Sequence, residues 1–183
     1  SPVENVAAYS VFANGGKSVE PYFISKITDR AGNKIFQKED IEIKQVIDTR
    51  IAFIIKDILQ EAARRGTAKK VKELGRSDLA GKTGTTNEAE STWFTGFNES
   101  LVTTVWVGFD QPKSLGNREF GSSTALPIWM DFMQQNIDNL PKNKKLPPEG
   151  IVSIKIDKKT GLKAESDSRN SIFEYYLEEH LPK

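Results

Sequence analysis

A short segment of small and hydroxyl-bearing residues, Lys82-Thr83-Gly84-Thr85-Thr86, has the composition of a strand that lines a binding cleft. Lys82 would supply a fixed positive charge for proton transfer and for an anionic substrate, while Gly84 leaves room for a substrate backbone beside the strand. Thr83 and Thr85 share the other face of the strand and offer hydroxyl groups. A backbone N–H near Thr85 could help to stabilise an oxyanion. The alternative is an exposed strand with one solvated lysine, and the three letters Lys-Thr-Gly alone favour that alternative.

A nucleotide-binding P-loop is the other chemistry that Gly81-Lys82-Thr83 suggests. That motif has a shorter spacing between its glycines than the five residues that separate Gly75 from Gly81. A P-loop lysine also opens a helix, and the residues that follow Lys82 predict none. The sequence therefore argues against a phosphate site of this kind.

The composition excludes several other kinds of site. The chain of 183 residues carries 26 Lys and Arg against 25 Asp and Glu, a net charge of +1, which argues against a surface built for nucleic acid. It has no cysteine, so disulfides, thiolate metal sites and cysteine nucleophiles are excluded. His180 is the single histidine, so a multi-histidine metal site is impossible. We expect no metal and no cofactor.

The elements that would position the Lys-Thr-Gly segment follow from hydrophobic periodicity. Residues 48–65 give the clearest helical pattern, and Gly66 ends it. Residues 79–110 predict three consecutive antiparallel strands, of which the third is apolar on both faces and therefore expected at the centre of the sheet. A capping box predicts a helix at the first residues, residues 22–36 predict a hairpin, and residues 124–137 predict another helix. This order indicates an α+β fold, with helices packed on an antiparallel sheet.

The composition changes in the last part of the chain. Residues 139–150 are rich in proline and lysine, which is typical of a linker. Residues 151–183 predict a small extension, in which alternating apolar residues form a strand and the capping box Ser171-Ile172-Phe173-Glu174 opens a short helix. We therefore expect a main domain over residues 1–138, followed by the linker and a β-plus-helix extension.

Several further blocks accompany the Lys-Thr-Gly segment in a characteristic order. They are Ala13-Asn14-Gly15-Gly16, Glu20-Pro21-Tyr22, Gly66-Thr67-Ala68, Trp93-Phe94-Thr95-Gly96-Phe97, Trp106-Val107-Gly108 and Leu126-Pro127-Ile128-Trp129. Together they resemble the C-terminal half of the transpeptidase domain of bifunctional class A penicillin-binding proteins, close to the Gram-negative type. The resemblance runs from about residue 3 to residue 138. It implies a partial penicillin-binding/serine β-lactamase-like transpeptidase fold, and a parent protein that cross-links peptidoglycan.

The resemblance implies a role for each residue of the segment. Lys82 would belong to the proton and charge network of the active site. Thr83 and Thr85 would bind the carboxylate of a D-Ala-D-Ala stem peptide or of a β-lactam, and the Thr85 backbone N–H would be one oxyanion donor. Gly84 would lie in the substrate-binding strand, and Trp93 would shape the wall of the cleft.

The chain departs from the family pattern at its nucleophile. No serine is followed by a lysine three residues later, and the single Ser-x-Asn match, Ser168-Arg169-Asn170, lies too far downstream. Ser91 also stands where the family usually has Asp. We therefore expect this chain to begin inside a catalytic domain, to require the N-terminal half of that domain, and to be inactive alone. The resemblance places the parent at the periplasmic face of the bacterial inner membrane, with its anchor outside this chain.

Two alternatives retain the same fold. One is a fragment of a serine β-lactamase or carboxypeptidase, against which the long closing blocks argue. The other is a non-catalytic binding or interaction module. In either case we expect the sheet edge and apolar surface left by a missing N-terminal half to promote self-association.

Overall fold

The computed structural model describes residues 1–39, 42–142, 146–165 and 167–182. Its helices and strands in chain order are α1 (Pro2–Ala13), β1 (Lys26–Thr28), β2 (Lys34–Gln37), α2 (Thr49–Arg65), β3 (Ala80–Thr85), β4 (Ser91–Phe97), β5 (Val102–Gly108), α3 (Ala125–Asn136), β6 (Ile151–Asp157) and β7 (Ser171–Leu177). Short 3₁₀ helices occupy Lys69–Leu74, Asn87–Ala89 and Ile137–Asn139. The predicted α+β class, with helices on antiparallel sheet, is confirmed.

The first and second helices begin at the capping residues that the sequence predicts. At the start of α1 the Ser1 hydroxyl accepts the Glu4 backbone N–H, and the Glu4 side chain returns to the Ser1 backbone, which completes the capping box. Asp48 caps α2 by accepting the Arg50 N–H, and the chain leaves the helix at Gly66. Both helices therefore begin at a side chain that satisfies an otherwise unpaired backbone donor.

The central sheet has the strand order β3-β4-β5, and both of its pairings are antiparallel. The prediction that the third strand is central is wrong for the described residues, because β4 lies in the middle and β5 has β4 as its strand neighbour. The apolar residues of β5 are explained by helices instead, since α1 and α3 both contact this strand. The apolar pattern of a strand indicates that both of its faces are covered. It does not indicate which strands lie beside that strand.

Two apolar clusters hold the helices to opposite faces of this sheet. On one face Phe94 packs edge-on against Trp129 of α3, with 5.0 Å between ring centroids, and both side chains are fully buried. On the other face Phe97 packs with Ala80 and with Tyr9 of α1. Burial of a large apolar side chain contributes roughly 1.5–3 kcal/mol, so these clusters fix β3 and β4 between helices.

The predicted hairpin before α2 is present but lies outside both clusters. β1 and β2 pair across a turn in which the Asp29 carboxylate accepts the backbone N–H groups of Ala31 and Asn33. Every residue of the two strands is exposed, and the neighbouring Phe23 is 89% exposed. The hairpin therefore projects from the part of the chain that the structure describes.

The C-terminal residues form two strands, so the prediction of a terminal helix at Ser171 is wrong. β7 pairs with β6 along its whole length, from Ser171↔Asp157 to Leu177↔Ile151. Its β-branched and aromatic side chains favour a strand, and this preference outweighs the capping-box pattern. Tyr175 packs edge-on against Phe53 of α2, with 5.0 Å between ring centroids.

An ion pair adds a second contact between this C-terminal hairpin and α2. Arg50, at the start of α2, pairs with Glu179 at a distance of 2.8 Å. The predicted division into domain, linker and extension stays a prediction, and residues 143–145 of the linker lie outside the described residues.

Candidate active site

The outer edge of β3 carries the residues that the sequence selected. Lys82 is exposed there, and its ammonium group donates to the backbone carbonyl of Thr83 at 2.8 Å. Thr86 donates its backbone N–H to the Ser91 carbonyl at 3.0 Å, so Thr86 faces β4. Because backbone groups alternate in direction along an antiparallel strand, the N–H and C=O of Thr85 point away from β4 to the open edge. An oxyanion donor requires this orientation.

Thr83 forms a contact that the sequence did not predict. Its hydroxyl oxygen lies 2.6 Å from the hydroxyl oxygen of Thr67, in the turn that follows α2. The sequence offered Gly66-Thr67-Ala68 as part of the resemblance, but no local pattern linked Thr67 to β3. The fold brings them together because α2 packs beside β3. Thr67 therefore holds the Thr83 hydroxyl at the strand edge.

The Thr85 hydroxyl is oriented by a different segment. It accepts the backbone N–H of Gly121 at 3.1 Å, so its own proton can be donated elsewhere. A side chain at Gly121 would place a Cβ 2.5 Å from the Trp93 carbonyl oxygen and 2.7 Å from that of Gly84, so only glycine allows this approach. A hydroxyl–hydroxyl contact of 2.5 Å between Thr92 and Thr124 holds the same segment to β4.

Trp93 lies on β4 directly opposite Gly84. A Cβ at Gly84 would lie 3.2 Å from the Cβ of Trp93, so the glycine lets the indole rest against β3. The Trp93 indole N–H donates to the Ser91 hydroxyl at 3.3 Å, and its ring lies 6.2 Å from that of Trp106. Lys82, Gly84 and Trp93 share one face of the sheet, because paired residues point to the same side.

A cavity of about 540 Å³ continues from the end of β3. It is lined by Thr85 and Thr86, by the turn residues Glu88 and Ala89, and by part of the segment 114–120. Two hydrogen bonds join these walls: the Ser114 hydroxyl donates to the Glu88 carbonyl at 2.8 Å, and the Leu115 N–H donates to the Ala89 carbonyl at 2.9 Å.

The walls of this cavity contain strained backbone. Glu88, Ala89 and Arg118 have φ values of 60°, 53° and 63°, and no other non-glycine residue of the described chain has a positive φ. Such conformations cost roughly 1–3 kcal/mol each and persist where the surroundings enforce them.

A buried ion pair lies just before the start of β3. Arg76 and Asp78 form two hydrogen bonds, at 2.7 and 2.6 Å, and their side chains are only 6% and 9% exposed. The bonds to Asp78 raise the pKa of Arg76, so the guanidinium stays charged. Arg76 also donates to three backbone carbonyls in the segment that follows α3, those of Ile137, Leu140 and Pro141. The pair therefore connects the approach to β3 with the segment that follows α3.

The structure thus brings Lys82, Thr83, Gly84, Thr85 and Trp93 together on two adjacent strands. Ser168-Arg169-Asn170 lies instead just before β7, in the C-terminal hairpin. In the part of the chain that the structure describes, no helix is long and apolar enough to cross a bilayer.

Known proteins share the sequence and the fold of this chain. The family model of the penicillin-binding protein transpeptidase domain matches residues 1–134. Penicillin-binding protein 1A of Pseudomonas aeruginosa is 37% identical to the chain over an alignment that covers 100% of it and 28% of the relative. Penicillin-binding protein 1A of Neisseria gonorrhoeae is 43% identical over 84% of the chain and 20% of the relative. The chain therefore spans about a quarter of the length of such relatives.

Solved structures show the same similarity. The crystal structure of penicillin-binding protein 1A from Haemophilus influenzae has a TM-score of 0.89 and 34% identity, and covers 100% of this chain and 32% of that protein. The penicillin-binding protein PonA1 of Mycobacterium tuberculosis has a TM-score of 0.64 and 26% identity, and covers 76% of this chain and 39% of that protein.

Proposed function

We propose, from the premise that this chain belongs to the penicillin-binding protein transpeptidase family, that it is the C-terminal part of a peptidoglycan D,D-transpeptidase. The observation that carries this proposal is the edge of β3. A lysine, two oriented hydroxyl groups and an outward-facing backbone N–H meet there within four consecutive residues, 82–85. This is a set of donors for a peptide that ends in a carboxylate.

The proposed reaction is acyl transfer through a serine that lies outside this chain. The serine hydroxyl attacks the penultimate D-Ala carbonyl of a stem peptide, forms an ester and releases the terminal D-Ala. An amine of a neighbouring stem peptide then attacks the ester, forms the cross-linking amide and restores the serine. A β-lactam would follow the first step and stop there.

The residues of this chain would bind and stabilise the substrate in that reaction. The Thr83 and Thr85 hydroxyls would donate to the terminal carboxylate, and the Thr85 N–H would donate to the oxyanion of the tetrahedral intermediate. Lys82 would supply positive charge beside the nucleophile and take part in its proton transfers. Gly84 would let the substrate backbone approach, with Trp93 as the wall on the same face.

The setting of the reaction is proposed on the same basis. The substrates would be D-Ala-D-Ala stem peptides, the inhibitors would be β-lactams, and the N-terminal half of the same domain would complete the site. The parent would act at the periplasmic face of the inner membrane, and the chain alone would be inactive.

Covalent labelling with a fluorescent penicillin tests the proposal. We expect the full-length parent to give a labelled band that survives denaturation, and the chain of residues 1–183 to give none. Lys82→Met in the parent should abolish labelling, whereas Lys113→Met, a change of another exposed lysine, should not.

Three results would contradict the proposal. A parent that is never labelled would favour a non-catalytic binding module. A parent that is labelled and rapidly hydrolyses the penicillin would favour a β-lactamase. A labelled isolated chain would show that the nucleophile lies within it.

A further inference from the structure

The C-terminal hairpin has one covered edge and one open edge. Along β6 the following loop continues the pairing, and the Ala164 N–H donates to the Lys155 carbonyl at 2.9 Å. The outer edge of β7 has no strand partner among the described residues. Edge strands are commonly protected by lysine, proline or a bulge, but β7 contains neither residue and pairs with β6 in unbroken register. Its outer edge is therefore open to another strand.

The backbone of Phe173 faces this open edge. At the two ends of the hairpin the Lys158 N–H donates to the Asn170 carbonyl and the Glu178 N–H donates to the Gly150 carbonyl, each at 3.0 Å. Because backbone groups alternate in direction along an antiparallel strand, the even-numbered residues of β7 face β6 and the odd-numbered residues face outward. Phe173 is one of the outward-facing residues, and its side chain is 69% exposed. Its N–H and C=O are therefore oriented to bond to an added strand.

A cavity of about 290 Å³ lies beside this part of β7 and gives an added strand room. Residues 172–175 of β7 line one side of it, and four charged residues of α2 line the other: Asp57, Glu61, Arg64 and Arg65. Side chains of consecutive strand residues point to opposite faces, so a cavity lined by four of them in a row follows the edge of the strand. Arg64 and Arg65 both pair with Glu61, so most of the charge on the helix wall is already compensated.

Two acidic side chains of the hairpin indicate which charges an added strand carries. Tyr175 packs against Phe53 of α2, so Glu174 and Glu178 lie on the face of the hairpin that is turned away from α2. The ion pairs formed among the described residues include neither glutamate. Opposite charges on adjacent strands stabilise the pairing, and like charges destabilise it. An added strand is therefore favoured by lysine or arginine at two positions four residues apart.

We propose that the edge of β7 beside α2 binds an extended segment of a partner protein as a third strand, with basic residues beside Glu174 and Glu178 and an apolar residue beside Phe173. Backbone hydrogen bonds would supply affinity in this arrangement, and the alternating side chains would supply specificity. The inference adds an interaction surface to the molecule and does not depend on the proposed transpeptidase function.

A fluorescein-labelled heptapeptide tests this in the full-length parent. Lysine is its first and fifth residue, valine its second, fourth and sixth, and threonine its third and seventh. In an antiparallel pairing the lysines then lie opposite Glu178 and Glu174, and the last valine lies opposite Phe173. The measurement is Kd by fluorescence anisotropy. We expect a matched peptide with glutamate in place of both lysines to bind about 10-fold more weakly or less.

Backbone methylation of the lysine peptide tests whether it binds as a strand. N-methylation of the sixth residue removes the N–H that would donate to the Phe173 carbonyl, and should weaken binding about 10-fold or more. N-methylation of the fifth residue removes an N–H that points away from β7, and should leave Kd unchanged.

A charge reversal in the protein tests the recognition of the lysines. Glu174→Lys should raise Kd for the lysine peptide by about 5- to 30-fold and lower Kd for the glutamate peptide, because attraction and repulsion are exchanged. Glu165→Lys makes the same change at an exposed position in the loop beyond β6, and should leave both Kd values unchanged. Thermal unfolding of each variant checks that the fold is retained.

Three results would overturn the inference. The first is equal binding of the lysine and glutamate peptides, and the second is equal binding of the two N-methylated peptides. The third is no binding to the parent; slow hydrogen exchange at the Phe173 amide would then show that another part of the parent already covers the edge. If Glu174→Lys fails to fold, the two N-methylated peptides still decide.

Discussion

At the scale of single residues, the hydrogen bonds that the Thr83 and Thr85 hydroxyl groups already form determine which protons they can donate to a ligand. Thr85 accepts from the Gly121 N–H, so its own proton is available to a substrate. Thr83 shares a hydrogen bond with Thr67, and either hydroxyl can be its donor. If Thr67 donates, both threonines of β3 can donate to one carboxylate. Thr67 would then be a positioning residue for that carboxylate site.

Removing the Thr67 hydroxyl tests this positioning role. Thr67→Val keeps the shape of the side chain but removes the hydrogen bond to Thr83, and Thr67→Ser keeps the bond. Since one hydrogen bond contributes roughly 1 kcal/mol, we expect Thr67→Val to lower the acylation rate constant for a carboxylate-bearing β-lactam by about 5- to 10-fold. The measurement is stopped-flow labelling of the full-length parent.

The matched serine variant provides the control. Thr67→Ser should retain most of the rate, because its hydroxyl can still reach Thr83. Equal losses in both variants would show that the methyl group matters and that the hydroxyl does not.

The same contacts show why part of the site was predictable from sequence. Lys82, Thr83, Gly84 and Thr85 lie on one strand, so the two-residue alternation alone assigns their faces. Thr67 and Gly121 reach these residues from 16 and 36 positions away in the chain, and no local pattern records such contacts. The positive φ values at residues 88 and 89 likewise could not be predicted from the sequence, because neither residue is a glycine.

At the scale of elements, the buried Arg76–Asp78 pair lies just before β3 and is expected to stabilise it. Arg76→Met would take the guanidinium from a nearly buried carboxylate and from three carbonyls near the end of α3. Breaking a buried pair in this way costs roughly 3–5 kcal/mol. We expect that loss in the free energy of unfolding, measured by urea denaturation of the transpeptidase domain in the parent.

An exposed pair supplies the comparison for Arg76. Arg64 pairs with Glu61 on the surface of α2, where its side chain is 40% exposed. Arg64→Met should cost less than about 1 kcal/mol, as exposed pairs usually do. Similar losses for Arg64→Met and Arg76→Met would show that the buried pair has no special part in holding β3.

The two wrong element predictions have a common physical cause. The residues from Ser171 match a capping box, and the apolar residues of β5 are typical of a central strand. Each pattern involves only residues that are close together in the sequence. In the structure, pairing with β6 makes residues 171–177 a strand. Contacts with α1 and α3 explain the apolar faces of β5. In both cases, contacts with residues distant in the chain determined the structure more strongly than the local sequence pattern. The helices α1 and α2, whose caps are formed by neighbouring residues, were predicted correctly.

At the scale of the whole molecule, the described chain presents many large apolar side chains at its surface. Trp106 on β5 is 38% exposed, although its ring lies close over Gly108. The edge of β5 away from β4 has no strand partner among the described residues. A strand edge with an exposed tryptophan is a site at which another chain can pair. We proposed above that the N-terminal half of the domain completes the site, and this edge is a suitable place for it.

If that surface is completed in the parent, the isolated chain should associate with itself. We expect multi-angle light scattering at high protein concentration to give a mass above 20.5 kDa for residues 1–183. Trp106→Lys puts a charge on the open edge strand and should shift the mass toward the monomer. Phe23→Lys puts the same charge on the most exposed apolar side chain beside the β1–β2 hairpin, and should leave the association unchanged if β5 is the contact. A monodisperse monomer of the unmodified chain would refute self-association. If Phe23→Lys alone dissociates the chain, the contact lies at the β1–β2 hairpin and not at β5.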